Sequence, residues 1–530
     1  MNAAVQCCLI MLGTAGMLAA AEIHVDSLPA LEEAIVNAVP GDHIVLAGGA
    51  YDSNSPITIN AAGTKERPIV ITAETVGGVE INGEAGFRLA SPAAYVLIRG
   101  FVFKHQAGEM NLPASVHHCR ITRNVFEMAV TGRARYLNVA GDDNEIDHNT
   151  FRHKNTEGQM LQVQGPRENE MAQRTWIHHN YFHDFASSRR NNSSALHIGH
   201  SARSMTSAYS VVEHNLFVRT QGENEGAICN KASDNVYRFN TFGQASTELS
   251  LRHGKRCLVY GNYFLGGNGL RFFSHDHRIY SNYFENCRPA IAIGNGGATI
   301  PPGPLTSHER PERVHVVYNT LVNNRQNVRM SARRNGLGAT DLIFANNIIV
   351  GGNEAVSVDG PLTNPTWQGN ILWANEGGPG DIPASGFTSV APKLAKDANG
   401  RHRLEPSSPA IEKGAGSYSY VTMDIDGQPR GESKDVGADE QSKQSAINRV
   451  LTPADVGPNA PEEKRPWIAG PKLDVQWIAR QTDRVRFPKR RDPKLRPGAS
   501  TKGPNLGPKQ LRLTVCQTYP PLPFARLDTP

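Results

Sequence analysis

Seven times between residues 124 and 284 the chain repeats an asparagine, one variable residue and a phenylalanine: Asn124-Val125-Phe126, Asn149-Thr150-Phe151, Asn180-Tyr181-Phe182, Asn215-Leu216-Phe217, Asn240-Thr241-Phe242, Asn262-Tyr263-Phe264 and Asn282-Tyr283-Phe284. Weaker copies follow at Asn319-Thr320-Leu321, Asn347-Ile348-Ile349 and Asn370-Ile371-Leu372. The interval between successive asparagines runs from 20 residues (Asn262 to Asn282) to 37 (Asn282 to Asn319) and mostly falls in the twenties. A repeat of fixed chemistry at that period marks a solenoid, whose units bury their apolar faces only by stacking on one another. Apolar and polar residues alternate around each asparagine, as in Val211-Val212-Glu213-His214-Asn215-Leu216-Phe217, which is strand chemistry. No helical period of useful length interrupts residues 100–375. The pattern predicts an all-β, single-stranded right-handed parallel β-helix with coils of about 20–30 residues. A β-propeller would need blades of about 40–45 residues, longer and more regular than these intervals. Asparagine is expected at the bend itself, since it tolerates the left-handed backbone and its amide can hydrogen-bond along a stack of like turns. The following Phe or Ile then points inward.

The ends differ from this repeat. An apolar run from Cys7 to Leu18 followed by Ala19-Ala20-Ala21 reads as a secretory signal over residues 1–21, although no Lys or Arg precedes it. A strand, a helix over Ser27 to Val39 and a second strand come next, with Leu28, Leu31, Ile35 and Val36 expected on one helix face to cap the first coil. The β-helix domain is expected to span residues 22–440. Residues 441–530 are rich in Pro, Lys and Arg, most strongly at Arg484 to Arg491, and are expected to be a poorly ordered extension. No later stretch resembles a membrane helix. The net charge of +5 is mild for 530 residues and does not argue for nucleic acid, though a local basic groove would suit an acidic polymer. Without the leader five cysteines remain, Cys119, Cys229, Cys257, Cys287 and Cys516, an odd and scattered set that reads as small core residues.

Between Asn191 and Arg252 the chain concentrates groups suited to one reaction. Glu223 and Glu225 are two apart and share a strand face, while Asn191 precedes them by about one coil. Adjacent carboxylates repel unless a cation lies between them, and one amide oxygen with two carboxylates is a donor set that calcium accepts. Lys231 and Arg252, 21 residues apart, fall on adjacent coils. In a uronic acid the C5 proton becomes abstractable once the neighbouring carboxylate is neutralised; a base must then take it while an acid assists departure of the C4 oxygen. A lysine near a bound cation and an arginine can act as that base, and an arginine can stabilise charge on the leaving oxygen. Two exposed glutamates on a loop and two solvated cations are the plainer reading of the same residues.

This order of residues inside an Asn-x-Phe solenoid resembles polysaccharide lyase family 6, which contains alginate lyases and the dermatan-sulfate lyase chondroitinase B. The matching stretch covers most of residues 22–460, most clearly at Asn191 with His197-Ile198-Gly199, Gly222-Glu223-Asn224-Glu225, Asn230-Lys231-Ala232-Ser233, Leu251-Arg252-His253-Gly254 and Asn262-Tyr263-Phe264. The resemblance implies calcium held by Asn191, Glu223 and Glu225, Lys231 as Brønsted base and Arg252 as Brønsted acid. It also places Lys154, His253 and Arg271 along a substrate groove, with structural hydrogen bonds between coils as the alternative role for those three. Two departures stand out. The family's lysine follows the second glutamate by five residues, whereas here the interval is six, so one residue must bulge between them. Asn192-Ser193-Ser194 replaces the family's Gly-Gly-Glu, which removes an acidic residue and makes Asn192 a rival ligand.

The favoured function is an exported lyase that cleaves alginate to ends bearing an unsaturated uronate. Alternatives are a dermatan-sulfate lyase, a C5-epimerase sharing the proton-abstraction step, a hydrolase using paired carboxylates without Lys231 or Arg252, and a non-catalytic polysaccharide-binding solenoid.

Overall fold

The computed structural model describes residues 20–462 except 107–108, 168–169, 188–192, 223–225, 247 and 300–306; the expected leader and the stretch from 463 onward, with its basic run, lie outside the described residues. The chain winds as a right-handed parallel β-helix. The central coils each contribute one short strand to each of three long faces, while the first and last coils add none to the third. Sheet 1 has 14 strands from Glu22–Val25 to Thr366–Gln368, sheet 2 has 14 from Gly49–Ser53 to Phe387–Ser389, and sheet 3 has 10 from Met110–Leu112 to Val356–Val358. One coil reads Val211–Glu213 in sheet 1, Leu216–Gly222 in sheet 2 and Ile228–Lys231 in sheet 3. Neighbouring strands pair parallel with inward residues in register, Ile146 on Ile177 on Val212 on Tyr237 in sheet 1, so one apolar column fills the interior.

The recurrent asparagines sit at the corner between sheets 1 and 2, fully or almost fully buried, and form a continuous ladder. Asn215 shows the pattern. Its Nδ2 donates to Asn240 Oδ1 (3.0 Å) and to the carbonyls of Ile177 (2.9 Å) and Glu213 (3.0 Å). Its Oδ1 accepts from the backbone N–H of Asn180 (3.0 Å) and from Asn180 Nδ2 (3.0 Å). The same Nδ2-to-Oδ1 step links Asn124 through Asn149 to Asn370 at 2.9 to 3.1 Å. The left-handed residue is not the asparagine but the one before it: Arg123, His148, His179, His214, Phe239, Gly261, Ser281, Tyr318, Asn346 and Gly369 all have positive φ. The reason is division of labour. A left-handed residue turns the chain, and only then does the next side chain point inward to span two coils. Each non-glycine turn residue costs about 1 kcal/mol of backbone strain, which the buried amide bonds offset. Two residues past the asparagines from Asn124 to Asn282, phenylalanines stack face to face, Phe126 on Phe151 at 4.8 Å and on to Phe264 on Phe284 at 4.6 Å, the spacing of paired strands.

The helix is shorter than expected, Leu28–Asn37, and buries Leu31, Ala34 and Ile35 against the first coils. Val36 is 72% exposed, because it lies five positions beyond Leu31 and therefore far around the helix from that stripe. Cys119, Cys229, Cys257 and Cys287 are buried free thiols, and burial pushes three of them, Cys119, Cys257 and Cys287, up to about 12. Among the described residues no helix is long and apolar enough to cross a membrane.

The packed chain does not end at residue 440, as the sequence leads one to expect. Residues 418–462 run back along the outside of the asparagine corner, crossing earlier coils as the residue number rises. Tyr418, Tyr420 and Val421 cover Tyr260, Tyr280 and Val317 on sheet 1. Gly437 N bonds Asn346 O, Ala438 N bonds Thr320 Oγ1, Asn448 Nδ2 bonds Gly261 O, Leu451 N bonds Thr241 Oγ1 and Gly457 N bonds His179 O. Arg123 then donates to the carbonyls of Pro458 (2.6 Å) and Ala460 (2.7 Å), and Arg99 pairs with Glu462. A low count of periodic apolar residues hid this strap, because its bonds are made mostly by its own backbone.

Two outcomes are expected. Asn215→Ala removes the acceptor of the buried Asn180 N–H and one of the three acceptors of its Nδ2, and also the donor to Asn240 Oδ1; it should lower stability by about 3 kcal/mol, measured by urea unfolding, with the β-rich circular dichroism retained. A chain ending at Glu440 uncovers Leu216 where Leu451 and Val456 now sit, and should unfold at a lower temperature than the full chain in calorimetry.

Candidate active site

Lys231, Arg252, His253 and Arg271 meet at one edge of sheet 3. Ile228–Lys231 pairs with Leu196–Gly199 without interruption, Gly199 lying opposite Lys231. On its other side the register slips: Asn230 faces Leu251, but Lys231 faces His253, so Arg252 is the extra residue of a β-bulge. The bulge anticipated between Glu225 and Lys231 is therefore not within the paired part of that strand; the irregularity seen lies on the partner strand. A bulge re-aims a side chain, and here the re-aimed residue is Arg252, next in the strand to the residue opposite Lys231. Two glycines permit this close approach. At Gly199, φ +93, an added Cβ would lie 2.5 Å from the Lys231 carbonyl oxygen, and at Gly254, φ +87, 2.1 Å from that of Ala232. Beneath them the buried Asn230 amide donates to the carbonyls of Ala232 and His253 (2.9 Å each) and accepts from Tyr237 and Asn235, which fixes the backbone on both sides of the bulge.

The outward residues of sheet 3 line up across coils, His197 on Cys229 on Ser250 on Arg271. Arg271 donates to Ser250 Oγ and pairs with Glu248 at 2.6 Å. Burial raises the Glu248 carboxyl, with Arg271 and Arg252 pulling the other way. Arg252 Nε donates to His308 Nε2 (2.9 Å), and His253 Nδ1 lies 3.1 Å from Glu309 Oε2. Lys231 is 5% exposed and Arg252 is partly exposed. Sequence reading passed over Glu248, His308 and Glu309. For Glu248 there was a signal, since it stands one coil after the Glu223–Glu225 pair; His308 and Glu309 arrive from a loop 56 residues past the bulge.

Lys154 is placed elsewhere. It lies opposite Phe185, turned inward from sheet 2 and 1% exposed, and its ammonium donates to Thr156 Oγ1 (2.6 Å) and to the carbonyls of Thr156 (3.2 Å) and Glu157 (2.6 Å). Burial lowers it to about 8. The positive φ of His153 shifts the strand's alternation by one and swings Lys154 from the outer to the inner face, so it is not a contact in an open groove.

Asn191, Asn192, Glu223 and Glu225 lie outside the described residues. The segments that carry them lead into neighbouring paired strands, since Leu196 and Ile228 are register partners. Among the described residues three other groups have metal-ligand chemistry: Asp147, His148 and His178; His153, His183 and Asp184; and Asp424, Asp426 and Asp439. Each is already tied to donors, Asp147 to Arg120 (2.7 Å twice) and Thr122, Asp184 to Arg219, Asp426 to Arg403 and Asp424 to backbone N–H groups. They read as structural ion-pair and turn networks.

A family model described as Chondroitinase B matches residues 25–358. No curated protein matches the chain. Among solved structures, the polysaccharide lyase family 6 alginate lyase AlyGC, in a single-residue variant, is 25% identical over 78% of this chain, with TM-score 0.65; the chain spans 60% of that enzyme's length. A mannuronic-acid-specific family 6 lyase from human gut microbiota is also 25% identical, over 68% of this chain and 91% of its own, with TM-score 0.59. A family 6 alginate lyase in complex with a trisaccharide, 21% identical over 73% of this chain and 92% of its own with TM-score 0.59, shares the fold.

The Asp147 network gives a pH test. Burial alone would raise this carboxyl, but the Arg120 charge and hydrogen bonds, with those of His148, hold it well below the usual range. A depressed folded value adds stability that is complete above the unfolded value near 3.9 and is lost as pH falls through the folded one. Asp147→Asn should therefore cost about 3–5 kcal/mol at neutral pH and flatten the decline in stability below about pH 4, read from urea unfolding at a series of pH values.

Proposed function

The chain belongs to the chondroitinase B family, and from that premise we propose that it is a polysaccharide lyase that cleaves uronic-acid polymers, alginate foremost, by β-elimination. The observation that supports this reading is the bulge at Arg252 on the strand paired with that of Lys231, with His253 opposite Lys231 and Arg271 on the following coil of sheet 3. No paired carboxylates of a hydrolase are needed, and two cations flank the edge where an anionic chain would lie.

Lys231 takes the C5 proton of the uronate. The electron pair left behind forms the C4–C5 double bond as the C4–O bond breaks, and the departing oxygen gains a proton with Arg252 beside it. Arginine gives up a proton poorly, so Arg252 acts chiefly by stabilising charge on that oxygen, with water completing the transfer. His253, held against the buried Glu309, and Arg271, held by Glu248 and Ser250, orient the sugar carboxylates. Asn191, Glu223 and Glu225 would hold a calcium ion; their oxygen donors suit that hard cation, and the segments bearing them enter strands paired at Leu196 and Ile228. When bound, the ion neutralises the uronate carboxylate and makes the C5 proton acidic.

Alginate leads because AlyGC and the gut-microbiota enzyme, the relatives at 25% identity, are described as an alginate lyase and a mannuronic-acid-specific lyase. Dermatan sulfate is the second reading, favoured by the family model's own description. Residues 1–21 are read as a secretory leader, which delivers the enzyme to a periplasmic or extracellular polymer, and residues 22–440 as the lyase domain.

Incubation with alginate, dermatan sulfate and polygalacturonate, followed by ultraviolet absorbance, tests the proposal. Absorbance from a conjugated uronate should rise with alginate, fall at least about 10³-fold in rate in Lys231→Ala, and disappear with chelator. A flat trace on all three polymers, with the chain folded, overturns it.

A further inference from the structure

The one cation that the bulge turns out is also the one whose direction the sheet does not set. Arginine at that position has a long side chain with several rotamers, and a transition-state contact needs it held within a fraction of an ångström. We propose that His308 is the positioning residue for Arg252: its neutral imidazole accepts the Arg252 Nε–H at Nε2 and fixes the plane of the guanidinium. This rests on the reading of Arg252 given above.

The geometry is built for one orientation. The His308 ring stacks on Phe273 with centroids 4.5 Å apart and planes 22° apart, and lies 5.1 Å from the His253 ring. Its carbonyl accepts from the N–H groups of Gly297 (3.0 Å) and Ala298 (3.2 Å). The next residue, Glu309, is fully buried, reaches His253 with its side chain, and accepts from Ser274 N through its carbonyl (3.2 Å). His308 is thus pinned by its ring, by its own carbonyl and by its neighbour, and cannot follow Arg252 if that side chain strays. Its charge state suits the role: burial first, then His253, Arg252, Arg271 and Arg333, hold it down at about 3, so Nε2 remains an acceptor throughout the neutral range. The proton of the neutral ring then sits on Nδ1.

Turnover of the polymer by His308→Leu, His308→Gln, Arg252→Ala and the Leu/Ala double variant tests this. His308→Leu should lower kcat about 10- to 100-fold with KM nearly unchanged, and His308→Gln, which restores an acceptor, should recover most of it. In the Arg252→Ala background the leucine substitution should cost nothing further, because the group it acts through is gone. An equal loss in both backgrounds makes His308 a structural residue, and unchanged kcat in His308→Leu rejects the proposal. If Arg252→Ala keeps full turnover, or no polymer is cleaved, it is the functional reading that fails. The contact is then judged alone by 15N NMR of the free protein at neutral pH: the Nδ1–H tautomer of His308, altered in Arg252→Ala, supports it, and an Nε2–H tautomer or an imidazolium overturns it.

Discussion

The amide ladder at the corner between sheets 1 and 2 is the interaction on which the rest of the molecule depends. Each asparagine bonds the one above and the one below while also satisfying backbone groups of two coils, so every coil is locked in register with its neighbours. In a parallel sheet a slip of one residue would turn an inward column outward. The ladder forbids that slip at one corner, and the stacked phenylalanines two positions later repeat the instruction in the core. Loops between other corners can then vary in length without disturbing the stack, which is why intervals from 20 to 37 residues coexist in one solenoid.

The candidate site uses that freedom on the face farthest from the ladder. Sheet 3 remains in strict register up to Asn230 and Leu251 and breaks it immediately afterwards. A rigid strand delivers Lys231 and a bulge delivers Arg252, with glycines at 199 and 254 allowing the backbones to approach. The surrounding side chains are positively charged, and their charges are partly balanced by Glu248 and Glu309 from behind. The result is an edge that holds its cations in fixed places.

The strap of residues 418–462 belongs to the same logic. Left-handed corner residues expose backbone carbonyls such as those of His179, Gly261 and Asn346, and the strap supplies N–H groups to them coil after coil. It also covers the tyrosines that sheets 1 and 2 present outward, which a free-standing solenoid would leave in water.

Fold class, coil period, inward phenylalanines and the placing of Lys231 and Arg252 on adjacent coils were all legible in the chain, because each is a local or periodic property: a repeat spacing, a strand alternation, two residues one coil apart. Other features needed the coordinates. Which residue of the turn is left-handed depends on where the asparagine side chain must point, and that is decided by the neighbouring coil. Lys154 reads as a groove cation until the turn at His153 reverses its face. His308 and Glu309 stand 56 residues from the side chains they hold, and the strap meets coils up to 363 residues away, from Glu462 to Arg99. A sequence records period and chemistry along the chain; contacts between segments of such separation arise only when stacking converts residue number into height along the helix axis, and there the tertiary structure alone decides.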